Sequence, residues 1–176
     1  MNLDELRIDN AKKQRRGLPF ICASVIIWVL ILIVISLKMP IQRQNMLVLC
    51  CSCVLMPLAM LAGKILHVNI FQKSNPLGNL GLLFALNQLL YILIVMWVLS
   101  AVPDKMVMVY AMVFGAHLLP YSWLYKSISY RVFAVGIPIL SLILGCLCSS
   151  FVVASTMIIV EVIFVVLLFI EDRKLH

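Results

Sequence analysis

Between Lys105 and Lys126 the chain reads MVMVYAMVFGAHLLPYSWLY, 20 residues without a formal charge. At about 1.5 Å per residue, a helix of that length crosses a hydrocarbon core roughly 30 Å thick. Comparable apolar runs lie at 18–37, 45–66, 80–101, 132–149 and 151–170. Only a tight turn near Ser149 and Ser150 divides the last two runs, yet about 40 apolar residues need two crossings. Inside lipid every backbone polar group must be paired within the protein, and runs of this length and composition do that as helices. The expected fold is therefore all-α, an integral membrane bundle of six transmembrane helices.

Composition excludes the main alternative. Hydrophobic residues make up 64% of the 176-residue chain and charged residues 12%. Soluble domains sit near 45–50% apolar and about 25% charged. No polar stretch is long enough to fold separately. That leaves a basic N-terminal tail at 1–17, the transmembrane domain at 18–170 and a short tail at 171–176. The tail MNLDELRIDNAKKQRRG reads as a solvated segment that sets orientation; Leu3, Leu6 and Ala11 offer a weak amphipathic helix as the alternative. The run at 18–37 exceeds a signal-peptide core, and SLKMPIQRQ beyond it has no small-residue cleavage site, so it is expected to remain as the first span.

The net charge is +7, from 14 Lys and Arg against 7 Asp and Glu. These charges lie at the ends of apolar spans, which points to lipid headgroups rather than nucleic acid. With the N-terminus cytoplasmic, that side holds 11 of the 14 basic residues, including Lys12, Lys13, Arg15, Arg16, Lys64, Lys73 and Lys126. Lys38, Arg43 and Lys105 fall on the other side. Both termini are thus expected inside, with Lys12, Lys13, Arg15 and Arg16 facing anionic headgroups. Trp123, Tyr125 and Tyr130 at one boundary, and Trp97 and Tyr110 near the other, suggest aromatic belts.

A few polar residues interrupt the spans. Measured from the outer end at about 1.5 Å per residue, Glu161 lies roughly 16 Å deep, His117 roughly 18 Å, and Asn87 and Gln88 roughly 20 Å. Pro57 and Pro138 fall near that level, and Pro120 and Tyr121 follow His117. An ionisable group at mid-bilayer costs about 2.5–3.5 kcal/mol on insertion scales, so it faces a partner or a cavity. Glu161 is expected inside the bundle near His117 or the Asn87–Gln88 pair, in the neutral acid form. Glu161, His117, Asn87, Gln88 and Tyr121 are the candidate site. Such a layer serves proton or ion coupling, or it holds helices together by hydrogen bonds.

Cys22, Cys50, Cys51, Cys53, Cys146 and Cys148 lie in apolar runs with no CxxC pair, and are expected as reduced thiols. No cofactor or metal is expected. The chain lacks a Walker A loop, a GxSxG elbow, an HExxH pair and a dinucleotide fingerprint.

The runs LPFICASVIIW, LVLCCSC, NPLGNLGLLFALNQLLYILIVMW and AVPDKMVMVYAMVFGAHLLPYSWLYK resemble an uncharacterised family of small polytopic membrane proteins from bacteria, known only as a domain of unknown function. The resemblance is densest from Asn75 to Lys126. It implies a bacterial cytoplasmic membrane and carries over no functional residue. Three functional classes stand. The first is a small proton- or ion-coupled transporter built around Glu161. The second is a non-catalytic membrane partner, alone or as a homo-oligomer, with structural polar residues. The third, a membrane-embedded enzyme using His117, Tyr121 and Glu161, lacks a nucleophile, and the chain is expected not to be one.

Overall fold

The computed structural model describes residues 2–70 and 74–175, the side chain of Leu82 apart. Lys73, counted above with the basic side, and His176 lie outside the described residues. Six helical stretches are long and apolar enough to cross a membrane: Arg15–Ser36, Ile41–Ile65, Gly78–Ala101, Pro103–Leu124, Ile128–Leu147 and Ser150–Arg173. All regular structure among the described residues is helical. The six-span expectation holds, with differences at the edges. The fifth span begins at Ile128 because Ser127 caps it, its hydroxyl accepting from the Tyr130 amide. The sixth runs on through Glu171, Asp172 and Arg173, so these residues belong to a helix and not to a tail.

Helix α1 (Leu3–Lys13) precedes the spans. Asn2 and Glu5 close a capping box, Asp4 and Glu5 sit in the first turn, and Lys12 and Lys13 in the last, each matching the helix dipole. The tail expected to be solvated is thus a helix, and it is anchored. Asn10 and Ala11 are buried. Asn75 donates to the Leu6 carbonyl at 2.8 Å and to Asp9 at 2.7 Å. Arg7 donates through Nε to the Trp123 carbonyl at 2.8 Å and lies over the Trp123 ring.

The chain then reverses through Arg15, Arg16 and Gly17, with φ of 44°, 52° and 71°. Left-handed backbone costs roughly 1–2 kcal/mol at a non-glycine residue, so neighbouring contacts must hold the two arginines there. Glycine is required at 17, where a Cβ would come within 3.0 Å of the Tyr130 hydroxyl and 3.2 Å of the Tyr125 ring.

Helix α2 (Leu18–Ser36) forms the centre of the bundle. It packs on α9 (Ser150–Arg173) and on the second span, α3 (Ile41–Cys51) and α4 (Leu55–Ile65). Helix α8 (Ile128–Leu147) lies against α9 and against the fourth span, α6 (Met106–Ala116) and α7 (Leu119–Leu124). Helix α5 (Gly78–Ala101) packs on α6, and smaller contacts of α3 with α5 and α6 close the ring. The first span is 44% buried within the protein and the third 12%, so α5 mostly faces outward. Trp28 of α2 fills the middle, edge-on to Tyr110 and Phe114.

Two of the three mid-span prolines divide their helices. A proline ring clashes with the carbonyl four residues back and cannot donate to it. Ahead of Pro57 the helix tightens into a 3-10 turn at Ser52–Val54, and ahead of Pro120 it breaks at His117 and Leu118. Pro138 sits inside an unbroken α8. There a Cβ added to Gly115 would lie 2.6 Å from Pro138 Cδ and 2.7 Å from Ile137 Cβ. The α6–α8 contact is therefore close because Gly115 has no side chain, as at many membrane helix crossings. We expect Gly115→Ala to lose about 1–3 kcal/mol in a detergent melt, since backbone-anchored Ile137 and Pro138 must move. Gly136→Ala, whose Cβ meets nothing within 4 Å, serves as the control and should be neutral or slightly stabilising. Equal melting of the two variants would refute the close packing.

Lys13 and Asn75, hydrogen-bonded to Asp9, hold its carboxyl below the usual aspartate range. A lowered folded value means that this stabilisation is complete above the ordinary aspartate value and is lost as pH falls through the lowered one. Amide exchange in α1 should accelerate under acid before exchange in α2 does. Simultaneous loss of protection in both helices would show that α1 is not separately docked.

Candidate functional site

Helix α9 buries a stripe at helical spacing: Val153, Met157, Glu161, Phe164, Leu168 and Asp172. Glu161 therefore faces inward, as its solvation demands, and has no exposed surface. Its Oε2 meets the Ser24 hydroxyl of α2, while that hydroxyl also reaches the Ile21 carbonyl at 2.8 Å. Serine has one hydroxyl proton and the carbonyl can only accept. Both contacts are filled at once when Ser24 donates to Ile21 and a Glu161 O–H donates to Ser24. Oε1 is buried without a partner among the described residues.

Of the other candidate residues, His117, Tyr121 and Asn87 bond elsewhere, and Gln88 is half-buried on α5. His117 stands at the break between α6 and α7, its Nδ1 donating to the Phe114 carbonyl of its own chain segment. A carbonyl only accepts, so the proton is on Nδ1. The imidazole lies edge-on to Phe114 and Tyr121, at 5.3 Å and 6.0 Å between centroids. Tyr121 donates to the Gly81 carbonyl of α5 at 3.1 Å. Asn87 donates to the Tyr91 hydroxyl, one turn on along α5. His117 and Tyr121 are thus brought together, whereas no hydrogen bond among the described residues joins Glu161 to His117, Asn87 or Gln88. Equal depth did not mean contact, because depth fixes position along the membrane normal and not around it.

Ser24 was not among the expected partners. Counted at about 1.5 Å per residue from the end that carries the termini, it lies roughly 9 Å into its span and Glu161 roughly 14 Å. Had hydroxyls been included with amides and imidazole, that depth would have flagged it.

The larger polar assembly sits at the termini-bearing end. Arg15 Nε pairs with Asp172 at 2.9 Å, and Asp172 has no exposed surface. Arg16 donates to the Tyr125 carbonyl at 2.6 Å and to that of Lys126 at 3.1 Å, and it stands 3.6 Å from Glu171. Glu171 accepts from the Ser127 hydroxyl at 2.6 Å and from the amide and hydroxyl of Ser129, both at 2.8 Å. Arg16, grouped with the headgroup-facing cations from sequence, is therefore an interior residue, 7% exposed. The signal was present as two adjacent bases at 15–16 and two adjacent acids at 171–172, all at one end of the bundle.

The aromatic belts are also partly interior. Trp97 and Trp123 are exposed, but Tyr110, Tyr125 and Tyr130 are buried because each hydroxyl finds a partner inside. Tyr110 shares a hydrogen bond of 2.6 Å with Ser52, Tyr125 donates to Gln14 at 2.7 Å, and Tyr130 donates to the Arg16 carbonyl at 2.9 Å. Tyr121 stacks on both Tyr125 and Tyr130, these two are tilted to each other by 45°, and Tyr130 meets Phe164 edge-on at 5.0 Å.

All six cysteines are unpaired; Cys148 lies just beyond the end of α8 and the rest within helical stretches. Among the described residues no group of three His, Cys, Asp or Glu side chains could hold a metal ion.

Fold and composition make this a multi-pass membrane protein of six apolar helices. The chain belongs to a family of unknown function, DUF7010, whose model matches residues 3–171. No curated protein and no solved structure matches it.

The Arg15–Asp172 pair joins the first span to the last. Removing one member leaves a buried charge unpaired, at a cost of about 3 kcal/mol. Arg15→Met should lower the melting temperature, and Asp172→Leu added to it should restore most of the loss. A double variant no better than the single one would contradict this reading.

Proposed function

We propose that the protein is a non-catalytic membrane partner, acting through surfaces it presents in the bilayer and not by passing a substrate through its centre. The observation that carries this is the state of Glu161, which is sealed from solvent and joined to Ser24 across the α2–α9 seam. A carboxyl so placed acts as interhelical glue. Three further interior pairs end on one another, Ser52 on Tyr110, Gln14 on Tyr125 and Arg16 on Glu171, while Asn10 Nδ2, Arg16 Nε and Asp172 Oδ1 are buried without a partner among the described residues. The basic asymmetry supports cytoplasmic termini, and the family resemblance supports a bacterial cytoplasmic membrane.

A second reading, proton-coupled transport, is favoured by one feature: Glu161 Oε1 is buried with no partner among the described residues. A carboxyl with a free oxygen at mid-membrane can take part in a proton relay.

One pair of variants separates the two. On the partner reading Glu161→Gln melts like the parent, because an amide N–H donates to Ser24 in place of the acid. Glu161→Leu loses about 1 kcal/mol, typical of an interhelical hydrogen bond in membranes. Proteoliposomes carrying the parent should pass protons no faster than empty vesicles under an imposed pH gradient. Proton flux that Glu161→Gln abolishes while keeping the parent's melting temperature would overturn the proposal and establish transport.

A further inference from the structure

At the termini-bearing end lies an open cavity of about 460 Å3, whose wall includes Lys12, Lys13, Arg15, His67, Asp172 and Arg173. These come from four separate places: the end of α1, the reversal into α2, the turn after α4 and the end of α9. The geometry points to a binding site for a phosphate-ester anion, the headgroup of an anionic phospholipid, between α1 and the ends of the first, second and sixth spans.

Charge is the first reason. Four cations face one carboxylate, Asp172, which gives Oδ2 to Arg15 and keeps Oδ1 without a partner among the described residues. Lys13 is held by Asp9 at 2.8 Å. Lys12 and Arg173 are in no ion pair among the described residues. Like charges gathered around open space repel one another, and an anion between them relieves that repulsion.

Preorganisation is the second. The guanidiniums of Arg15 and Arg173 both lie over the ring of Phe169, 5.8 Å and 4.6 Å from its centroid. Arg15 gives Nε to Asp172 and Nη1 to the Leu66 carbonyl, so its Nη2 and the guanidinium fork of Arg173 are the donors left to face phosphate oxygens. His67, at φ 54°, turns the chain at the rim.

Depth selects the source of the phosphate. The site stands at the ends of three apolar spans, the level of lipid phosphates, and Val68 adds apolar surface to its wall. A volume of this size is within the range of small-molecule sites. The inference does not depend on what Glu161 does.

The test uses the full-length protein in phosphatidylcholine nanodiscs with and without phosphatidylglycerol, read by native mass spectrometry of retained lipid. The parent should retain phosphatidylglycerol over phosphatidylcholine. The double variant Lys12→Gln with Arg173→Gln should weaken that retention about 30-fold, the factor expected for two basic side chains near an anionic surface. Lys38→Gln with Arg43→Gln removes equal charge at the opposite end and should retain the lipid like the parent. Should the first double variant melt early in phosphatidylcholine alone, Lys12→Glu, at an exposed position, replaces it with the same expected direction. Unchanged retention in the Lys12 variants, or an equal loss in the opposite-end control, would overturn the site. Displacement of the bound lipid by millimolar inorganic phosphate would reassign the cavity to a soluble anion and overturn the lipid proposal.

Discussion

The contact between the first and last membrane helices governs this structure, and polar groups set its register. Ser24 and Glu161 join α2 to α9 within the apolar slab, and Arg15 and Asp172 join them again at its edge. Apolar surfaces alone give little reason for one register over another inside lipid, because hydrocarbon surrounds every alternative. A carboxyl that must find a hydroxyl, and a buried aspartate that must find a guanidinium, reject most of those alternatives. Phe164 and Leu168, packed between the two polar levels, complete the stripe.

From that seam the rest follows outward. The reversal at Arg15, Arg16 and Gly17 is energetically unfavourable by itself and persists because each residue is held. Arg15 is held by Asp172 and Arg16 by the Tyr125 and Lys126 carbonyls and by Tyr130. The same reversal brings α1 back over the ends of the spans, where Asn75, Trp123 and Tyr125 receive it. Basic residues that a topology count treats alike thereby acquire different roles. Arg16 becomes an interior structural residue, Arg15 a bridge, and Lys12 stays exposed. The partner reading and the proposed headgroup site share this basis, in which the ion pairs gather at one end of the bundle.

What the sequence determined by itself was the number of crossings, their approximate limits and the rarity of Glu161. Hydrocarbon thickness imposes a length that any chain must meet, so apolar runs can be read directly. The inward direction of Glu161 followed in the same way, from the cost of solvating it elsewhere. Which residues meet was left to tertiary structure. Ser24 and Glu161, or Arg15 and Asp172, are far apart in the chain, and helices apolar all round carry no stripe to say which side faces which neighbour. Tyr125 and Tyr130 turned inward for the same reason: Gln14 and the Arg16 carbonyl, each distant in sequence, came to stand beside them.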